Sequence, residues 1–242
     1  MEYAEFKALF EKSLQENRLE PQTEDTIQRF YQFDCYLHKV NAVTNLTAIR
    51  NTQDAISKHY IDSLLASAHL PQGARILDIG CGPGFPSIPL AICRPDLSVT
   101  ALDSTAKKIS FVNEAAQLLK LKNLHAIAGR AEDAKVIAGL GKFDAVVSRA
   151  VARMHILCEL ALPYAKVGGK IVALKAAKAE EEATEAQNCI HTLGGDRPIL
   201  HPTELINLDG TTEPRCLIEI QKIKSTPNSY PRAYAQILKK PL

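Results

Sequence analysis

From Arg75 onward the chain alternates short apolar runs with helical stretches, and that alternation restricts the fold more than any other feature of its 242 residues. The runs cover 75–79, 98–102, 125–128, 145–148 and 170–174, with helical periodicity over 87–93, 106–119, 132–138, 155–164 and 177–191. Each run has the length of a buried strand, and each intervening helix returns the chain so that the next strand lies parallel to the last. Right-handed crossovers then put helices on both faces of one twisted sheet. After Gly194-Gly195, residues 205–208 and 216–223 read as two more strands joined through Asp209-Gly210, an antiparallel pair closing one sheet edge. The expectation is an α/β, Rossmann-like fold with a mostly parallel seven-stranded sheet.

The first 70 residues follow another pattern. Phe6, Leu9, Phe10 and Leu14 recur at helical spacing, as do Ile27, Phe30, Tyr31 and Leu37, and Pro21 separates the two groups. A third helix is expected to start after Thr52, as N-cap, and to run through Ile56, Tyr60 and Leu64 until Pro71-Gln72-Gly73. The organisation expected is a helical extension over 1–70, a catalytic domain over 71–225 and a basic tail over 226–242, a size that suits one full core. No apolar run approaches the ~20 residues that cross a bilayer, and no secretory signal is evident, so a cytoplasmic monomer without a membrane role is expected. Six cysteines without a CxxC pair, and no histidine at zinc-site spacing, read as reduced thiols and no metal.

The first of the strands ends as Ile76-Leu77-Asp78-Ile79-Gly80-Cys81-Gly82-Pro83-Gly84-Phe85-Pro86, directly before a helix. Glycines at Gly80, Gly82 and Gly84 let bare backbone approach a ligand at the strand's carboxyl end. A dinucleotide loop would read GxGxxG; here the third glycine comes one residue early and Pro83 removes an amide donor. Asp78 just before the loop suits a cationic amino group rather than a pyrophosphate. Asp103, closing the next strand, is placed to accept ribose hydroxyls. Together these features favour S-adenosylmethionine over a nicotinamide cofactor.

The chain resembles the bacterial small-subunit ribosomal RNA guanine-N7 methyltransferases, the GidB or glucose-inhibited division protein B family. The resemblance rests on 41–49 (NAVTNLTAI), 58–64 (KHYIDSL), 77–86, Asp103 to Lys108, Gly129 to Glu132, Ser148 to Ala152, Tyr230-Pro231-Arg232 and the closing Lys239-Lys240-Pro241-Leu242. One departure is Tyr234 to Ile237, where the family pattern has a Gly-Pro turn. The resemblance implies the class I S-adenosylmethionine-dependent methyltransferase fold and transfer to N7 of one guanine of 16S rRNA, position 527 in the helix 18 (530) loop. Cofactor contacts are implied at Gly80, Phe85, Asp103, Ser104, Thr105, Ala131, Glu132 and Arg149. Phe85 would cover the methionine end, and Ala131 with Glu132 the adenine edge; as the other reading, Glu132 is only a helix-start acid. His59 is expected to make a structural hydrogen bond, and roles for Asp62 and 41–49 stay open.

Guanine N7 presents a lone pair and no proton, so no general base is required. Enzymes that methylate exocyclic amines carry Asn or Asp with Pro-Pro and an aromatic after the fourth strand, whereas here that position reads Ser148-Arg149-Ala150-Val151. Arg149 is the expected positioning residue, with a single contact to guanine O6, a phosphate or the cofactor. The net charge of +2 is small, but the start is acidic and the tail basic. Lys107, Lys108, Arg130, Arg153, Lys175 and Arg232, with Lys178 and Arg215, are the cations available for RNA phosphates. For the tail, phosphate contact and a solvated end stand as equal readings. A methyltransferase for small molecules or proteins and a cofactor-binding RNA partner without turnover are the rival functions.

Overall fold

The computed structural model describes residues 1–242. One seven-stranded sheet runs through it in the order β3-β2-β1-β4-β5-β7-β6. The parallel strands are β1 (Arg75–Ile79), β2 (Ser98–Asp103), β3 (Leu124–Ala128), β4 (Phe143–Arg149) and β5 (Ala165–Lys175). β6 (Ile199–Ile206) and β7 (Thr212–Gln221) form the expected antiparallel pair, and it is β7 that joins β5. β1 lies between β2 and β4, with Asp78 opposite Ala101 on one side and Val147 on the other. The strand order reverses there, which opens a crevice at the carboxyl ends of β1 and β4.

Alternation along the strands divides the core between the two faces. Ile76, Val99, Ala101, Ala145, Val147 and Val172 face one way and Leu77, Leu102, Val146, Ile171 and Ala173 the other. The first face carries the N-terminal extension. There α1 (Tyr3–Glu16) and α2 (Glu24–Thr44) bury Phe6, Phe10, Phe30 and Phe33, and these rings run through Tyr60 to Phe85 of the glycine loop. The extension and the sheet therefore share one continuous core rather than meeting across an interface.

The segment before β1 departs from the expected single helix. Asn51, not Thr52, is the N-cap and accepts from the Asp54 amide at 2.7 Å. α3 (Thr52–Ala55) widens into a π-helix over Ile56–Ile61, resumes as α4 (Asp62–Leu64), and a 3-10 turn follows over Ser67–His69. Thr52 instead donates to the buried carboxylate of Asp34 on α2, which also accepts from Tyr60 at 2.8 Å.

The remaining helices are α5 (Ser87–Cys93), α6 (Ala106–Leu118), α7 (Ala134–Leu140), α8 (Met154–Ala161), α9 (Ala179–Glu185), α10 (Gln187–Thr192) and α11 (Tyr234–Lys239). The stretch read as one helix over 177–191 breaks at Ala186. The tail is not a solvated end: α11 buries Ile237 against the second core. No helix is long and apolar enough to cross a membrane.

Candidate active site

The glycine loop leaves β1 with Gly80, Gly82 and Gly84 all at positive φ, of 69°, 57° and 96°. Such angles cost an L side chain about 1–2 kcal/mol each, so glycine is required for the turn itself. A Cβ on Gly80 would lie 2.4 Å from Val151 Cγ2, whereas one on Gly82 would project into open space. Asp103 braces the loop: its Oδ2 accepts from the Gly82 amide at 3.0 Å and its Oδ1 from the Thr105 amide at 2.8 Å. Each oxygen keeps a lone pair for a further donor.

Two cavities meet over this loop, sharing Gly80, Lys108 and Ala150. The first, about 380 Å³, is lined by Asp103, Ser104, Thr105, Ala131 and Glu132. The second, about 390 Å³, is lined by His59, Asp62, Gly82, Phe85 and Arg149. Both volumes fall in the range of small-molecule sites. Ala150, between them, has a φ of 53°, an uncommon angle for a residue with a Cβ and the kind of strain that collects where a loop must present its backbone.

The wall of the second cavity is a chain of paired groups. Arg149 donates through Nη1 to the Lys58 carbonyl at 2.6 Å and to Asp62 Oδ2 at 2.9 Å, and through Nη2 to His59 Nδ1 at 3.3 Å. Asp62 Oδ1 accepts from Arg215 Nε at 2.7 Å. With Nδ1 accepting, the His59 proton sits on Nε2 and is donated to Thr47 Oγ1, 2.8 Å away. Burial, and then the Arg149 charge, lowers the His59 pKa to about 3, so the ring is neutral at physiological pH. The imidazole stacks on Phe85 with ring centroids 4.2 Å apart, and the Arg149 guanidinium lies over the same ring at 5.3 Å.

Asn41 shapes the strand of backbone that carries Thr47. Its amide group donates to the carbonyls of Thr47 and Ile49 at 3.0 and 3.2 Å, and its Oδ1 accepts from the Thr47 amide at 3.0 Å. The 41–49 segment is thus folded around one buried asparagine so that it presents a hydroxyl to His59.

A family model described as rRNA small subunit methyltransferase G, GidB, matches residues 25–201. The chain belongs to the GidB family. A protein of Lachnoclostridium phytofermentans named ribosomal RNA small subunit methyltransferase G is 46% identical over 217 residues, which cover 87% of this chain and 88% of that one. A namesake from Clostridium perfringens (strain 13 / Type A) is 40% identical over 222 residues, 90% and 92% of the two chains. Among solved structures, TYW2 of M. jannaschii in complex with AdoMet superposes with a TM-score of 0.53 at 20% identity, covering 68% of this chain and 76% of that one. The YcgJ protein of Bacillus subtilis gives a TM-score of 0.53 at 13% identity, over 69% and 100%. These likenesses bear on the fold alone, that of class I S-adenosylmethionine-dependent methyltransferases.

In this GidB chain every cofactor contact implied by the resemblance lines one of the two cavities, as does Gly82, whereas two others expected from the loop sequence, Asp78 and Gly84, line neither, Gly84 being turned toward Ile88 and Val112. Asp78 is fully buried beneath the loop, where its Oδ2 accepts from the amide and hydroxyl of Ser87 at the start of α5. Burial raises its pKa to about 7, and its Oδ1 has no partner. Its place is under the cradle rather than in the cavity wall. Glu132 does not start α7; Asp133 caps it through the Lys135 amide at 2.7 Å, and Glu132 is left facing the cavity beside Arg130. Cys81 is buried, and burial pushes its thiol far above the usual range, so it fits as a small apolar residue.

The GidB cations divide sharply. Lys108 and Arg130 line the first cavity, Arg130 exposed and paired with Glu132 at 3.1 Å, and Lys107 is exposed next to Lys108 in the chain. Four others are paired with the protein's own carboxylates, Arg153 at the surface and the other three largely buried, which counts against the expectation that they are available to RNA. Arg153 pairs with Glu181 and Glu185 at 2.7 Å, and Lys175 with Glu182 at 2.7 Å. Arg215 pairs with Asp62, and Arg232 binds the fully buried Glu159 through its amide at 2.9 Å and its Nε at 2.8 Å. Two site residues were not legible in the sequence: Thr47, which meets His59, and Tyr234, which closes one side of the first cavity from α11. Periodicity carries no signal for either, because both arrive from segments remote in the chain.

Proposed function

We propose that the chain transfers the methyl group of S-adenosylmethionine to N7 of one guanine in 16S rRNA of the small ribosomal subunit, at the helix 18 loop. The observation that carries this reading is a second cavity whose carboxylate and imidazole are both held by guanidinium groups, so that neither is poised as a general base. Both oxygens of Asp62 accept from guanidinium groups, and the one lone pair of neutral His59 faces Arg149. A nucleophile with a proton to lose would be stranded there, whereas N7 has none.

The residues present fit the cofactor on two counts. Gly82 leaves open space where a side chain would intrude, and each oxygen of Asp103, in the wall of the first cavity, keeps a lone pair for a hydroxyl donor. Asp103, Ser104, Thr105, Ala131 and Glu132 would hold the nucleoside, and Gly80, Gly82 and Phe85 the sulfonium end. When bound, the cofactor supplies an electrophilic methyl group.

The protein's task is alignment, for which orientation can supply ~7–11 kcal/mol. Phe85 is fixed by the His59 ring on one side and the aromatic core on the other, so it forms a flat, rigid wall. Arg149 has three of its five N–H donors occupied and keeps Nε–H and one Nη2–H. It can make one contact to guanine O6 or a phosphate without covering N7. Lys107, Lys108 and Arg130 stand at the cavity mouth for the RNA backbone. A base splayed from a loop would reach the site, and the protein would act as a cytoplasmic monomer on the subunit or its precursor.

The test is mass mapping of modified guanines in 16S rRNA from cells with and without this protein, with Arg149→Ala as a complementing variant. A 7-methylguanine lost on deletion, restored by the native chain and not by the variant, is expected. A modification unchanged by the deletion would remove the assignment.

A further inference from the structure

Away from the glycine loop, three side chains from distant parts of the chain converge on the sheet face that carries the extension. His69 closes the 3-10 turn at the end of the extension, His201 lies on β6 and Glu219 on β7. Their ligand atoms all lie within 4.8 Å of one another. His69 Nδ1 is 3.5 Å, and His201 Nε2 3.7 Å, from the same oxygen, Glu219 Oε2. The two rings sit with centroids 4.5 Å apart.

These separations are too long for hydrogen bonds, which for N–H···O run about 2.7–3.2 Å. They suit a shared ion instead. Ligands about 2.0–2.1 Å from a zinc ion at tetrahedral angles lie roughly 3.3–3.4 Å apart. The two edges to Glu219, at 3.5 and 3.7 Å, are within a few tenths of an ångström of that, and the histidine–histidine edge, no longer than 4.8 Å, closes by a side-chain adjustment. His201 Nε2 is buried without a partner, a cost that a ligated ion would remove. The other carboxylate oxygen, Oε1, accepts from Lys170 Nζ at 3.2 Å, which orients Oε2 toward the histidines. Lys170 is also the cation that an ion here must tolerate.

We propose that His69, His201 and Glu219 form a binding site for a divalent transition metal, zinc above all, that clamps the end of the N-terminal extension to the β6–β7 pair. Two imidazoles and one carboxylate are a zinc donor set with a fourth position left to water. The site lies apart from the two cavities over the glycine loop, with which it shares no residue.

The experiment uses the full chain, freed of metal with a chelator and then titrated with zinc in a calorimeter and, in parallel, with cobalt(II) in an absorption spectrometer. One zinc per chain is expected, with a melting temperature raised by roughly 5–11 °C at 100-fold excess over Kd. Tetrahedral cobalt bands without thiolate charge transfer should appear. His201→Ala and Glu219→Gln should each abolish the saturable event while retaining the native circular dichroism spectrum. Absence of one-to-one binding to the native chain, binding unchanged in His201→Ala, or a thiolate signature pointing to a cysteine site would overturn the proposal. Should either variant fold poorly, the cobalt spectrum of the native chain decides alone.

Discussion

Gly80 shows how narrowly a residue can be required. Its φ of 69° and the 2.4 Å that would separate an added Cβ from Val151 act together, because the loop after β4 packs directly over the loop after β1. Gly80→Ala is expected to weaken binding of S-adenosylmethionine or its thioether product at least about tenfold by calorimetry, from roughly 1–2 kcal/mol of backbone strain plus the displaced Val151. His59 and Asp78 give the site opposite responses to pH. The unfolded chain protonates His59 below 6.5 while the folded chain resists until about 3, so its contribution is complete above pH 6.5 and is lost as pH falls through that window. His59→Asn should flatten that part of the acid limb in denaturant titrations. For Asp78 the folded pKa of about 7 lies above the unfolded 3.8, so its contribution is present below 3.8 and is lost as pH rises toward 7. Asp78→Asn should therefore lessen the fall in stability between pH 4 and 7.

At the scale of elements, the π-helix and α11 are the two features that the apolar pattern did not disclose. Ile56, Tyr60 and Leu64 keep helical spacing through the π-helix, so a widened turn leaves no mark on periodicity. Its consequence is local: the Lys58 carbonyl faces Arg149, and His59 and Asp62 both reach the same guanidinium, a typical setting for such a turn. The short helix α11 is held by Arg232 and Glu159, whose carboxylate is wholly inside. Removing the arginine strands a buried charge, which costs about 3–5 kcal/mol. Arg232→Ala is expected to lower unfolding free energy by that order and to open the tail to protease. Because Tyr234 closes the first cavity, cofactor affinity should fall as well.

For the molecule as a whole, internal pairing decides which cations can meet RNA. Arg153, Lys175, Arg215 and Arg232 hold the protein's own carboxylates, while Lys107 is exposed without an ion pair and Arg130, more exposed than any of these paired arginines, holds Glu132 through one Nη alone. The double variant Lys107→Ala/Arg130→Ala should reduce the slope of log binding constant against log salt by about 1.4 on a single-stranded loop, while Arg153→Ala leaves it unchanged. Local chemistry determined the strands from Arg75 onward, the loop glycines and the acid closing β2, because periodicity and positive φ are properties of adjacent residues. Only the folded chain decided that Asp78 lies under the loop, that Thr47 meets His59, and that the same residue type, arginine, is structural at Arg232 and exposed at Arg130. Those outcomes depend on which carboxylate or hydroxyl the topology brings within about 3 Å, and separation along the chain carries no record of that distance.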